Sequence, residues 1–378
     1  MNKKALTYSL AVIALVVVHG LAIYFANLDK PGFLTTDSTG TEYETAKVLS
    51  ILEDNTVVDE STEGVLKGSM SLKVQILTGR YKGDICFITN YFSALYNVNV
   101  KEGNTVSVRI DTTGEGVYSV SVYNYNRAPL LAGLIILFFA LLAIIGGKKG
   151  MKAFAGLAYT FVCICFILLP LTLKGYNAIV LTAVLIFITT TVSFILISGI
   201  GKKTIAAEVG CMCGVLIAAL LGEFACRIGG ISTFQTDEAE ALLLVKSTFD
   251  LKMRGLFTAG ILISAMGAVM DVSMSISSAV CELATVNGKM TFKELYKSGM
   301  NIGRDAMGTM ANTLVLAYVG SSLNMMVLIY SYGVSFSQLI NTDFVAIELI
   351  KAISGSIGIV CTVPCVSFIA AKLFGKKK

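Results

Sequence analysis

Apolar runs recur along this chain at a length that leaves few folds open to it. They fall within residues 1–26, 129–146, 152–173, 177–200, 205–226, 256–283, 304–330 and 346–372. About 20 apolar residues in a helix cross the hydrocarbon of a bilayer, and there a helix satisfies its backbone groups without water. The fold class is therefore read as an α-helical polytopic membrane protein with about eight transmembrane helices. Composition agrees, since 55% of residues are apolar, 15% are charged and mean hydropathy is +0.75, outside the range of a soluble domain. The first run exceeds a signal-peptide core and Gly20-Leu21-Ala22 is a marginal cleavage site, so it reads as an uncleaved first helix.

Lysine placement orients such a chain. Lys3, Lys4, Lys148, Lys149, Lys152, Lys202, Lys203, Lys289, Lys293, Lys297 and Lys376 to Lys378 fall on one side of the map, which is read as the cytoplasm. Both termini are then cytoplasmic in a plasma-membrane protein, with residues 27–127 extracytoplasmic. The formal charge of +5 sits largely in these clusters, where it orients the helices, so lipid is an expected partner and nucleic acid is not.

Residues 27–127 break the apolar pattern. SLKVQILTG, TVSVRIDT and GVYSVSVYNY alternate apolar and polar residues with period two, between turn signals such as GRYKGD and KEGN. Five or six short strands in about a hundred residues predict a small β-barrel or OB-like domain inserted after the first helix. Asn27 to Tyr43 reads as its tether. Tyr81, Tyr91, Phe92 and Tyr96 are either a recognition surface or core residues. Residues 128–228 would hold helices two to five, and 229–254 an outer segment in which TDEAEALLLVKSTFD (236–250) has the pattern of an interfacial amphipathic helix. Residues 255–378 would hold helices six to eight with a polar core.

That polar core carries the chemistry. Asp271 stands in the middle of an apolar run, where an ionised carboxylate costs about 3 kcal/mol on insertion scales, so it is a functional candidate by default. Ser264, Gly267, Asp271, Ser275, Ser278 and Glu282 share one helical face. After a polar connection, Arg304 and Asp305 open the next run, and Asp305, Gly308, Thr309 and Asn312 share another face. The two faces are expected to meet, with Asp271, Arg304, Asp305, Ser275, Thr309 and Asn312 as a proton relay or transport path.

Other candidates carry less. Cys163 with Cys165, Cys211 with Cys213 and Cys361 with Cys365 lie in apolar runs without histidine or acid at ligand spacing, and read as packing residues. His19 has no second histidine to share a metal. Glu223, Glu348 and Lys351 lie near helix ends and can snorkel. SGSIG (354–358) provides for close helix approach. Neither a nucleophile with its base nor a phosphate loop is recognisable, so no enzyme activity, cofactor or metal is expected.

GAVMDVSMSISSAVCEL, NIGRDAMGTMANTLVLAYVGSSL and ISGSIGIVCTVP resemble the signature blocks of the YibE/F-like multi-pass membrane proteins, over nearly the whole chain. That resemblance implies the architecture. VMDVSMSI, followed by a loop and an arginine opening the next helix, is similar to the SecD/SecF translocase components and RND transporters. In those proteins an intramembrane acid at the position of Asp271 and an arginine at that of Arg304 serve proton passage. This chain departs from them by two extra helices and by lacking long outer domains.

The function these readings predict is a proton-coupled secondary transporter or export-assisting factor, acting on a solute or an exported polypeptide, with a membrane-protein partner or a second copy of the chain. The alternative is a non-transporting scaffold or sensor whose outer β-domain binds a partner.

Overall fold

The computed structural model describes residues 19–28, 40–62, 64–114, 117–231, 233–236 and 238–376. Most of the expected first helix and of the tether lies outside these residues. The chain divides into two compact units, Asp29–Leu141 and Met1–Leu28 with Leu142–Lys378.

The first unit is built on β1 (Thr41–Asp59), β2 (Val65–Ile76), β3 (Ile85–Phe92), β4 (Thr105–Gly114) and β5 (Val117–Tyr125), all antiparallel and in the order β3-β2-β1-β4-β5. β3 and β5, the two ends of that order, approach each other, so the sheet is a half-barrel. Period two decides which side is inside. Val48, Leu72, Val74, Ile76, Val106, Val108 and Ile110 are fully buried, while Lys47, Lys73 and Arg109 alternate with them. Register slips at Val48/Ser50 and Ile51/Glu53 bend β1. At the β1–β2 turn the Asp59 carboxylate takes an ion pair from Lys67 and hydrogen bonds from Ser61 and Thr62. The same contacts, Lys67 first, hold its carboxyl well below the usual range.

The second unit is helical. α1 covers residues 19–26. α2 (Ala128–Cys163) runs through a π turn (Ile164–Leu168) into α3 (Leu169–Leu173), an apolar stretch of 46 residues. At 1.5 Å per residue that is about 69 Å, twice a hydrocarbon thickness. It is broken at Gly147, whose φ of 53° with ψ of −137° suits only glycine. α4 (Ala178–Ser198) starts on Asn177, which accepts from the Ile179 and Val180 amides. α5 (Lys202–Gly229) ends on left-handed Gly230. α6 (Ala239–Thr248) falls within the expected amphipathic segment. α7 (Leu256–Val286) and α8 (Phe292–Ser321) follow, and α8 meets α9 (Leu323–Ser331) at a bend of 58°. α10 (Phe336–Ile340) and α11 (Asp343–Phe374) close the chain.

Five helical segments among the described residues are long and apolar enough to cross a membrane, and the α8–α9 pair makes a sixth. Against the eight expected, the first run lies mostly outside the described residues, and 129–146 and 152–173 are joined in the stretch broken at Gly147. Leu130, Ile135, Phe161, Val184, Leu220 and Phe224 are among the large apolar residues these helices expose. Exposure on that scale fits lipid and not water.

α11 is the hub, packed on α5, α7 and α8. The seams use small residues because lipid gives helices no hydrophobic reason to associate. A side chain at Gly358 would stand 2.8 Å from the Ala218 Cβ and 2.9 Å from the Gly214 carbonyl, and one at Gly222 2.7 Å from Ile261. Gly299 and Gly303 bring α8 against Val280 and Ile276 of α7 and Ser367 and Val363 of α11.

Candidate functional site

Asp271 stands midway along the 31 residues of α7, the depth at which a carboxylate costs most. The structure puts it on an exposed face of that helix together with Gly267 and Ser275. Arg304, Asp305, Thr309 and Asn312 are likewise exposed on α8. α7 and α8 pack on each other where Ile276 and Val280 meet Gly303 and Gly299, and Ser264 of the α7 polar face lies against Tyr318 of α8. Asp271 and Arg304 form no ion pair, the pairs among the described residues being Asp59–Lys67, Arg109–Asp111, Glu223–Arg227 and Glu348–Lys351. Thr309 donates to the Ala306 carbonyl of its own helix at 2.9 Å, and Ser264 to that of Ile261 at 3.0 Å.

The helices instead enclose an acid that the sequence reading passed over. Glu208 of α5 is 8% exposed, about two turns in from the helix start. Its Oε1 accepts from the Thr190 hydroxyl of α4 at 2.8 Å, while its Oε2 has no partner. Two buried hydroxyls lie nearby, Thr191 of α4 beside Glu208 and Ser273 of α7 beside Cys211, each without a hydrogen bond of regular geometry. Cys211, one turn beyond Glu208 and fully buried, faces Ser273. Ser277, fully buried, donates to the Lys203 carbonyl at 2.7 Å and pins α7 to the start of α5. Buried polar atoms without partners are few in native proteins, and each marks strain, an exchangeable proton or a bound species. The sequence signal is faint, a run Thr189-Thr190-Thr191 in one apolar helix and, in the next, Glu208 as one of its two glutamates.

Such a cluster can hold and release a proton. It offers no metal site: among the described residues no three His, Cys, Asp or Glu side chains gather as a metal would need. All nine cysteines are free thiols. Glu223, expected to snorkel, accepts from Thr258 of α7 at 2.7 Å and from Arg227 at 2.9 Å.

In the sheet unit, Phe92 is buried and Tyr81 stacks on Tyr118 with centroids 4.1 Å apart, so both are structural. Tyr91 and Tyr96 are more than 70% exposed and share a cavity of about 240 Å³ with Asn90 and Tyr123.

One family model matches the chain, that of YibE/F-like protein, over residues 134–376. No curated protein and no solved structure matches it.

Proposed function

Taking as premise that this chain belongs to the YibE/F-like family of membrane proteins, we propose that it is a proton-coupled secondary transporter or export-assisting factor. The observation that carries this reading is the pair of acids on adjacent packed helices, Asp271 midway along α7 and the buried Glu208 on α5. Asp271 is the acid open to the surroundings and Glu208 the acid held inside. Burial favours the neutral form of a carboxyl and hydrogen-bond donors favour the charged one. A group balanced between the two can take up a proton from one side and pass it to the other.

The lysine clusters support a plasma-membrane orientation with both termini cytoplasmic and the half-barrel outside. A second reading, a scaffold or sensor, draws on the exposed Tyr91 and Tyr96, which offer a partner an apolar surface with polar tips.

Proton flux into vesicles carrying a trapped pH dye separates the two. Asp271→Asn keeps size and hydrogen bonding but cannot titrate, so flux is expected to vanish while abundance in the membrane is unchanged. Asp271→Glu should retain part of it. Arg304→Lys keeps the charge and has no contact with Asp271 to lose, so flux and its pH optimum should be unchanged. An Asp271→Asn protein fully active across the pH range would put the scaffold reading in front.

A further inference from the structure

The end of the bundle where α5 stops and α7 starts holds two adjoining cavities of about 320 and 460 Å³. Their walls carry four cationic side chains, Arg227, Lys246, Lys252 and Arg254, against one carboxylate, Glu223. That carboxylate is already occupied, one oxygen by the Thr258 hydroxyl and the other by Arg227. Arg254, Lys246 and Lys252 take part in no ion pair among the described residues. Like charges gathered in a concave, partly apolar space repel one another, and low-dielectric walls focus their field.

The backbone adds to that field. α7 begins on Gly255, in the left-handed region at φ 90°, with no side chain capping the helix. Gly255, Phe257 and Thr258 line the first cavity, so the positive dipole end of a 31-residue helix adjoins the same space as the cations, although the Leu256 amide is taken by the Met253 carbonyl at 3.2 Å. The loop is fixed in place: Thr233 donates to the Met253 carbonyl at 2.7 Å and Gln235 to that of Gly230 at 3.1 Å.

We propose that this vestibule is a binding site for a phosphate-class oxyanion, either a soluble phosphate or the phosphate of an anionic lipid headgroup. The Arg254 guanidinium supplies the planar fork that matches two phosphate oxygens. The α7 amides take a third, and Lys246 and Lys252 provide point charge at the rim. The site shares no residue with the Asp271 and Glu208 cluster and stands whether or not that cluster moves protons.

The test uses the purified full-length chain and reads its unfolding midpoint. In uncharged detergent, inorganic phosphate is compared with chloride at equal ionic strength. In nanodiscs without free phosphate, phosphatidylcholine is compared with a mixture containing phosphatidylglycerol. Wild type is expected to gain about 3 °C or more in at least one arm through binding to the folded state alone. Arg254→Gln and Lys252→Gln, each at an exposed position that folding does not need, should lose most of that gain, and Arg254→Lys should keep part of it. A gain only with inorganic phosphate identifies a soluble anion, and a gain only with phosphatidylglycerol a headgroup; either supports the site. No gain in either arm, or an equal gain in wild type and both glutamine variants, overturns it.

Discussion

Glu208 shows what a single side chain can reveal about selection for function over stability. Its carboxyl is buried with one oxygen unpartnered, an arrangement that costs free energy and that an apolar residue of similar volume would remove. The Thr190 hydroxyl would not be orphaned by that change, because it also donates to the Ile186 carbonyl at 2.7 Å. Glu208→Met is therefore expected to leave stability unchanged or raise it by up to about 2 kcal/mol, while abolishing proton flux. A lower melting midpoint in detergent would mean that the acid is structural glue. Asp271 was legible in the sequence because it interrupts the middle of an apolar run. Glu208 was not, because it stands five residues after Lys203, where a charge reads as belonging to the helix end. Only the packing of α4 against α5 places it inside.

Helices here are held by the backbone approach that glycine permits, and that gives substitutions of opposite sign on neighbouring elements. Gly358→Ala would push a methyl group to 2.8 Å from Ala218 and should destabilise the bundle by about 1–3 kcal/mol. Gly260→Ala on α7 meets nothing within 4 Å and should be neutral or stabilising by about 0.5–1 kcal/mol. Melting both variants in one detergent checks the pair, and equal effects would show that α5 and α11 do not meet as described. The SGSIG glycines announced this seam, but Gly299 and Gly303 gave no such signal because they sit in a segment that reads as a polar connection. That segment is the first half of α8. Thr291 accepts from the Glu294 amide while the Glu294 carboxylate accepts from the Thr291 amide, a capping box spelled TFKE in the sequence. Its charged residues hide it from a hydropathy reading. The bend at Ser322 was also invisible, since Gly320-Ser321-Ser322 sits within an apolar run.

For the whole chain, hydropathy reveals most of the membrane spans and alternation reveals the half-barrel, because both depend on local periods. Which helix faces touch does not, because it depends on partners distant in sequence. The lysine bias yields a topological expectation: a cysteine replacing Asn104 should be labelled by an impermeant reagent from outside intact cells, and one replacing Lys293 only after the membrane is opened. Labelling at position 293 from outside would invert the map. The exposed polar rows of α7 and α8 matter beyond the chain itself. Acyl chains cannot solvate Asp271 or Arg304, so a bilayer that met these faces on a single copy would have to thin there, drawing headgroups and water inward. The lipid beside this protein thus becomes part of its working shape, and the thickness of the host membrane a setting on how far water reaches toward Asp271.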